Sequence, residues 1–144
     1  MTGLDLRMAQ KVLDSQPFSA LVGARITAFG DGAATLEIDS RENLRQQNGF
    51  LHGGVLAYAA DNALTFAAGT TLGPAVLTGG FSIQYLRPAI GTTLVARAEV
   101  VHTGRRQAVA RCDLSVVGED RTETLCAVAQ GTVLSAASSS RSSA

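Results

Sequence analysis

A long apolar segment at residues 53–68 constrains the fold of this chain more than any other part of its sequence. The segment reads GGVLAYAADNALTFAA and is apolar on nearly all faces, which predicts a buried central helix. Asp61 is the exception, because an ionised Asp is almost never buried without a partner. Its carboxylate either bonds a neighbouring backbone group or an Arg, or it serves chemistry.

The start of the same helix favours the chemical interpretation. Two glycines follow His52, so Gly53 and Gly54 leave bare backbone N–H groups where the helix begins. A helix N-terminus carries partial positive charge, and such N–H groups can polarise a carbonyl or hold an oxyanion. We therefore predict a catalytic site around this turn, with Asp61 as its carboxylate.

Length, charge and cysteine content narrow the class of protein. At 144 residues the chain is long enough for one domain with a sizeable core. Its 12 basic and 12 acidic residues cancel, so no surface for a long nucleic acid is expected. No apolar run reaches the length of a membrane span, the N-terminus lacks a signal-peptide pattern, and both cysteines lie in apolar stretches. We expect a cytoplasmic protein that binds neither nucleic acid nor membrane.

The rest of the chain predicts an α+β domain in which an antiparallel sheet curves around the central helix. A short helix over residues 4–13 should end before Pro17, and strands at 24–29 and 33–38 flank a glycine-bearing turn. A polar loop, residues 40–51, leads into the central helix. Four more strands are predicted at residues 75–86, 92–102, 107–117 and 123–134. We expect a single domain over 1–135 and a disordered serine-rich tail at 136–144.

Several motifs taken together carry a resemblance to a known enzyme family. They are the string NGFLHGG from Asn48 to Gly54, Asp61 nine positions after His52, the segment FSIQYLRPA from Phe81 to Ala89, and the turn Gly104-Arg105-Arg106. With them the chain resembles the hotdog-fold acyl-CoA thioesterases of the phenylacetic-acid-degradation (PaaI) type, which are similar to the Arthrobacter-type 4-hydroxybenzoyl-CoA thioesterases. The resemblance covers residues 10–135 and implies a hotdog fold.

The length of the helix separates its two candidate catalytic groups. With a rise of about 1.5 Å per residue, the Gly53 amide and the Asp61 backbone lie about 12 Å apart. Reacting atoms must approach to about 3 Å, so we predict a site shared between subunits. The resemblance implies the same arrangement, a homodimer in which Gly53 of one protomer faces Asp61 of the other, commonly joined into a homotetramer.

Two groups nearly suffice to hydrolyse a thioester, because a thiolate leaves with little acid assistance. The Gly53 N–H would stabilise the oxyanion, while Asp61 would act as general base or as nucleophile, and the sequence leaves both routes open. His52 either fixes the turn or touches the substrate. The resemblance also implies catalytic roles for Gln46, where the family usually has Asn, and for the Thr78 hydroxyl, which would hold the attacking water.

Further residues are candidates for binding an acyl-CoA substrate. Coenzyme A enters as part of that substrate, and no metal or other cofactor is expected, because the Cys and His spacings match no metal site. Guanidinium groups suit the phosphates of coenzyme A. The candidates are Asn48, Gly54, Asn62, Arg87, Arg105 and Arg106. The acyl group is expected to be aryl or medium-length, with aryl favoured only by analogy.

Two other functions stay open at this point. An enoyl-CoA hydratase or dehydratase on the same fold would need a His placed with a carboxylate for proton transfer. A non-catalytic acyl-CoA-binding protein would keep the pocket but would normally lack the helix carboxylate and carry a DNA-binding segment. The presence of Asp61 and its spacing from the His-Gly-Gly turn favour hydrolysis over both.

Overall fold

The computed structural model describes residues 5–136, and the elements predicted from the sequence are present in it. In chain order they are α1 (Leu6–Asp14), α2 (Pro17–Val22), β1 (Ala24–Gly30), β2 (Ala33–Asp39), a 3₁₀ turn (Glu42–Leu44), α3 (Gly53–Leu72), β3 (Val76–Tyr85), β4 (Thr93–Thr103), β5 (Gln107–Val117) and β6 (Glu123–Ser135). The α+β class is confirmed, and each predicted strand end agrees with the structure to within one residue. The predicted disordered tail lies outside the described residues, apart from Ala136.

The six strands form one antiparallel sheet in the order β1-β2-β4-β5-β6-β3. The α3 helix carries the chain from β2 across the sheet to β3 at the opposite edge. It packs chiefly against β4, β5 and β2, so the sheet curves around it. This is the predicted hotdog arrangement, with β3 as an edge strand directly beside the end of the central helix.

Alternating side chains explain why one face of the sheet covers the helix. On β4, Ala96 and Ala98 are buried while Arg97 and Glu99 are exposed. Small side chains on the inner face let the helix approach closely. On the outer face the charged side chains pair across strands, as Arg97 does with Glu123 at 2.7 Å.

Close approach between the last strand and the edge strand requires a glycine. A Cβ at Gly131 of β6 would lie 2.6 Å from the Gly80 carbonyl oxygen and 2.6 Å from Phe81 Cβ on β3. The β3–β6 register shifts between Thr78 and Gly80 at the same level. Such a bulge bends a strand locally, and here the bend follows the Thr78 position.

A second N-terminal helix corrects the sequence prediction. Pro17 does end α1, but it also occupies the first turn of α2, where a fixed φ and a missing N–H are tolerated. Gly23 terminates α2 with a φ of 85°. Arg41 then donates to the carbonyl oxygens of Val22 and Leu21, each at 2.6 Å, which satisfies the end of α2. The α1–α2 pair is therefore anchored to the core rather than trailing from it.

Candidate active site

His52 is the N-cap of α3. Its Nδ1 accepts a 2.8 Å hydrogen bond from the Gly54 N–H, and its own backbone is extended. A Cβ at Gly54 would lie 2.9 Å from that Nδ1, so glycine makes room for the cap. Two roles are predicted for His52, and this hydrogen bond corresponds to the first of them, fixing the turn. A neutral imidazole that accepts at Nδ1 carries its proton at Nε2.

Gly53 is the first residue of α3 and holds the candidate oxyanion donor. No hydrogen bond within residues 5–136 uses its N–H, as expected for the first turn of a helix. Its carbonyl oxygen accepts a 2.8 Å bond from the Tyr85 hydroxyl, and a Cβ would meet the Tyr85 ring at 3.3 Å. His52 and Tyr85 therefore fix the two ends of the Gly53–Gly54 peptide.

A groove of about 460 Å³ runs past Gly53. Its walls are residues before and within the first turn of α3 and residues at and after the end of β3, among them Phe50, Leu56, Tyr85, Leu86 and Arg87. The groove gives a substrate access to the first turn of α3, where the predicted oxyanion donor lies.

Asp61 lies two turns further along α3 and is held by a threonine on β3. Thr78 Oγ1 donates to Asp61 Oδ1 at 2.5 Å, and Thr65 Oγ1 is 2.8 Å from Thr78 Oγ1. Thr65 also donates to the Asp61 carbonyl oxygen at 2.8 Å. No ion pair among residues 5–136 includes Asp61.

The sequence predicts that the Asp61 carboxylate is buried within the apolar central helix. Within a single chain this prediction is wrong. Asp61 is half-buried, because its side of α3 faces the edge strand β3 and not the centre of the sheet. The fully buried positions of the helix, such as Ala60 and Leu64, lie on its other sides. The carboxylate is thus turned toward the open edge of the sheet.

One chain does not bring Gly53 and Asp61 together. Both lie on the continuous α3 helix, so their backbones stay about 12 Å apart along its axis. The predicted oxyanion donor and the predicted carboxylate therefore lie at separate places along the helix of one chain.

The loop before α3 places Gln46 and Asn48 in a tight turn. Gln46 Oε1 accepts from the Asn48 N–H, the Gln46 N–H donates to the Phe50 carbonyl oxygen at 2.9 Å, and Gly49 donates back to Gln46 at 3.0 Å. The His52 N–H donates to Leu44 at 3.0 Å. The side-chain oxygen of Gln46 thus supports the loop that carries the His52 turn, while Asn48 is exposed.

The three candidate phosphate-binding arginines lie at two different ends of α3. Arg87 is exposed, lines the groove beside Gly53 and donates to the Leu125 carbonyl oxygen at 2.6 Å. Arg105 and Arg106 are exposed in the β4–β5 turn. That turn lies by the C-terminal end of α3, where Thr103 bonds Thr71 at 3.1 Å. Of these three arginines, Arg87 is the one that lies near Gly53 within a single chain.

The sequence did not reveal a role for Tyr85. This residue belongs to the segment that resembles the family, but nothing in the sequence shows that its hydroxyl reaches Gly53.

The sequence also did not reveal a chain of hydrogen bonds that joins α3 to α2. Tyr58 donates to Ser19, and Ser19 donates to Gln16 Oε1, both at 2.5 Å. Burial raises the pKa of Tyr58. Asn62, one turn after Tyr58, lines a cavity together with Gln16.

Several properties of the described chain bear on other classes of site. No group of three or more His, Cys, Asp or Glu side chains within residues 5–136 could hold a metal ion. None of the helices there is long and apolar enough to cross a membrane. Cys112 and Cys126 are both buried and free, and burial raises the pKa of Cys112 to about 12.

Comparisons with known proteins agree with this arrangement. Residues 48–122 match the thioesterase superfamily. Over 114 residues the chain is 26% identical to 1,4-dihydroxy-2-naphthoyl-CoA hydrolase of Listeria monocytogenes, covering 78% of this chain and 89% of that protein. It is also 26% identical over 114 residues to the acyl-coenzyme A thioesterase PaaI of Escherichia coli, covering 78% and 79%.

Solved structures match over nearly the whole chain. A thioesterase family protein from Silicibacter pomeroyi aligns with a TM-score of 0.81 and 37% identity, over 88% of this chain and 96% of that chain. The Escherichia coli PaaI structure aligns with a TM-score of 0.76 and 22% identity, over 88% and 89%, and supports the fold. From the sequence motifs, the sheet wrapped around its helix and these matches, the chain belongs to the thioesterase superfamily and is a hotdog-fold thioesterase.

Proposed function

We propose that this protein hydrolyses an acyl-CoA thioester to a carboxylic acid and free CoA, at sites shared between two copies of the chain. The observation that carries the proposal lies on α3. The helix begins with an N–H that no described group uses, at Gly53, and bears a carboxylate held by Thr78, at Asp61. The first suits a developing oxyanion and the second suits activation of the attacking group.

The chemistry balances with these two groups. The substrate carbonyl oxygen accepts from the Gly53 N–H as the carbonyl carbon becomes tetrahedral. In one route Asp61 removes a proton from the attacking water; in the other its carboxylate attacks and water then opens the resulting anhydride. In both, the C–S bond breaks, CoA leaves as a thiolate, and the acyl carbon ends as a carboxylic acid. Removal of an oxyanion donor costs about 3 kcal/mol of barrier in comparable sites.

The edge strand β3 supports assembly through a second copy. Among its exposed side chains are Leu77 and Tyr85, at 64% and 52% exposure. An open edge of this kind exposes unpaired backbone groups and is normally covered. We propose that the β3 strands of two copies pair, so that the half-site at Gly53 of one meets the half-site at Asp61 of its partner. A homodimer is then the catalytic unit, and two dimers form the proposed homotetramer.

Antiparallel pairing of the two β3 strands would also give Arg105 and Arg106 a role. These residues lie at the Val76 end of their own sheet, whereas Gly53 lies at the Tyr85 end. In an antiparallel pair the β4–β5 turn of the partner comes to the Gly53 end, three strand spacings away, or about 14 Å. That reach suits the phosphates of coenzyme A, with Arg87 on the near side of the groove.

The two competing functions have weaker support. A hydratase needs an imidazole and a carboxylate acting on the same substrate. His52 Nδ1 is occupied by the Gly54 N–H, and no carboxylate among the described residues bonds His52. A protein that only binds acyl-CoA does not need the Asp61 carboxylate that the Thr78 hydroxyl orients. We also propose a cytoplasmic location, because two buried free thiols suit a reducing compartment.

The activity test is thiol release with Ellman's reagent from a panel of aryl-CoA and straight-chain acyl-CoA thioesters. We expect the wild type to hydrolyse some of them and Asp61→Asn to lose at least 100-fold in kcat, as expected for loss of a general base or a nucleophile. Binding without hydrolysis by the wild type would overturn the proposal in favour of acyl-CoA binding alone.

A paired substitution isolates the oxyanion donor. Gly53→Pro removes the N–H and adds the proline ring, at a helix position that tolerates proline, and the extended backbone of His52 is compatible with a following proline. Gly53→Ala is the matched control, because it adds the same Cβ beside Tyr85 and keeps the N–H. We expect Gly53→Pro to lose about 100- to 1000-fold in kcat and Gly53→Ala to lose much less.

Mixing the two inactive variants tests the shared site. In a heterodimer of Gly53→Pro with Asp61→Asn, one site carries both changes and the other carries neither. Random reassociation would make half of the dimers mixed, so about a quarter of wild-type activity should return. Mass measurement should show that mixed dimers have formed. If they have formed and no hydrolytic activity returns, both groups act within one protomer and the shared site is overturned.

A further inference from the structure

Tyr85 is the last residue of β3 and lies on the face of that strand that covers α3. Phe81 and Ile83, four and two positions before it, pack against the core from the same face. The backbone that follows is tied to the neighbouring strand, because the Leu86 N–H donates to the Cys126 carbonyl oxygen at 2.7 Å. A rigid strand end therefore carries the Tyr85 ring beside the first turn of α3.

Three of the first four amides of α3 are already bonded within the turn. The Gly54 N–H donates to His52 Nδ1 at 2.8 Å. The Val55 and Leu56 N–H groups donate to the His52 carbonyl oxygen at 2.9 and 3.4 Å. The Gly53 N–H is the one amide of this turn without a hydrogen bond in the part of the chain that the structure describes. An oxyanion at the start of α3 would thus depend on a single donor, and the direction of that donor becomes critical.

Gly53 itself does little to hold its N–H in one direction. It has no side chain, glycine has wide backbone freedom, and the N–H of the first helical residue has no partner within the helix. Tyr85 supplies a restraint from outside the helix. Its hydroxyl donates to the Gly53 carbonyl oxygen at 2.8 Å, and its ring would meet a Cβ on Gly53 at 3.3 Å. The hydrogen bond and the ring contact together limit rotation of Gly53 about its backbone.

We propose that Tyr85 is a positioning residue, whose hydroxyl holds Gly53 so that its N–H points into the groove and meets the oxyanion. The proposal rests on the thioesterase function proposed above. The hydroxyl is not itself the oxyanion donor, because its proton is used by the Gly53 carbonyl oxygen. A preorganised donor stabilises the transition state because it needs no rearrangement when charge develops. A donor misplaced by about 1 Å can cost about 100-fold in rate.

The first test is Tyr85→Phe, which keeps the ring and removes the hydroxyl. We expect kcat for an acyl-CoA to fall about tenfold while KM stays within about twofold of the wild-type value, because the restraint acts on the transition state. Thiol release with Ellman's reagent gives both constants, and thermal unfolding checks that the variant is folded. A rise in KM at unchanged kcat would make Tyr85 a substrate-binding residue and overturn the proposal.

The second test asks whether Tyr85 acts through the Gly53 N–H. Tyr85→Phe is combined with Gly53→Pro, which lacks that N–H, and separately with Gly53→Ala, which keeps it and carries the same Cβ. If the hydroxyl acts by holding the donor, its removal should lower kcat about tenfold in Gly53→Ala and less than about twofold in Gly53→Pro. Equal effects of Tyr85→Phe on kcat in the two backgrounds, whatever their size, would overturn the positioning role.

These outcomes are distinct from failure of the proposed function. Thioester hydrolysis by the wild type, and its loss in Asp61→Asn, establish that function first. If both are observed and Tyr85→Phe keeps the wild-type kcat, the function stands and the positioning role fails. If the wild type hydrolyses no thioester, the proposed function fails and the positioning role fails with it.

Discussion

Thr78 Oγ1 on β3 donates a 2.5 Å hydrogen bond to Asp61 Oδ1 on α3. This contact joins the central helix to the strand at the open edge of the sheet. Thr78 in turn lies 2.8 Å from Thr65, so three polar side chains form a chain along the helix–strand seam. The carboxylate of Asp61 is thereby oriented by hydroxyl groups and keeps its half-exposed side free for substrate or water.

The first prediction concerns this orientation. Thr78→Val keeps the shape of the side chain and removes the donor, and a hydrogen bond to a charged group is worth about 1.5–3 kcal/mol. We expect kcat to fall about tenfold to 100-fold, with Thr78→Ser restoring most of it. Steady-state thioester hydrolysis measures both variants, and thermal unfolding checks that each is folded. Full activity in Thr78→Val would show that the bond does not orient Asp61.

The second prediction concerns the N-cap of α3. Because His52 Nδ1 satisfies the Gly54 N–H, His52→Ala should lose about 1 kcal/mol of unfolding free energy. His52→Asn should retain it, since Asn is a good N-cap. Urea unfolding of the two variants gives the comparison. Equal stability of His52→Ala and the wild type would mean that the cap contributes nothing to the fold.

The third prediction concerns the peptide between Gly53 and Gly54. Tyr85 holds its oxygen and His52 holds its N–H, so the two side chains act on one rigid unit. A double-mutant cycle of Tyr85→Phe and His52→Ala should therefore show a coupling of at least about 0.5 kcal/mol in unfolding free energy. Strictly additive effects would argue that the two bonds act independently.

The fourth prediction concerns recognition of coenzyme A. Replacing both Arg105 and Arg106 with Ala should raise KM for an acyl-CoA about tenfold, because guanidinium–phosphate contacts are lost. The same variant should hydrolyse the S-acyl thioester of N-acetylcysteamine, which has no phosphate, at the wild-type kcat/KM. Parallel losses on both substrates would exclude a phosphate-binding role.

The fifth prediction follows from the buried thiol of Cys112. Burial raises the pKa of this thiol to about 12 in the folded chain, against an ordinary value near 9. Below about pH 9 both states keep the proton and the shift has no effect on stability. Between the two pKa values only the unfolded chain loses the proton, so stability should fall by up to about 1.4 kcal/mol per pH unit. Urea unfolding from pH 8 to 11 measures the slope, and Cys112→Ala should show a smaller one.

Much of the fold could be predicted because its signals are local. The apolar run from Gly53 predicted the central helix, and alternation around residues such as Arg97 and Arg111 predicted strands whose ends are correct to within one residue. Helix and strand periods are set by neighbouring residues, so a single sequence contains them. The missed α2 helix also had a local signal, since Pro17 suits the first turn of a helix as well as the end of one.

The sequence by itself determined the central helix, the six strands and the His52-Gly53-Gly54 turn, and helix rise alone separates Gly53 from Asp61. Only the tertiary structure decided that β3 is an edge strand, that Thr78 reaches Asp61 and that Tyr85 holds the Gly53 carbonyl. Strand order is chosen by long-range burial, and many pairings satisfy the same alternating pattern. Contacts between residues 17 or 32 positions apart therefore depend on the whole packed sheet, whereas a turn or a helix depends on its own residues.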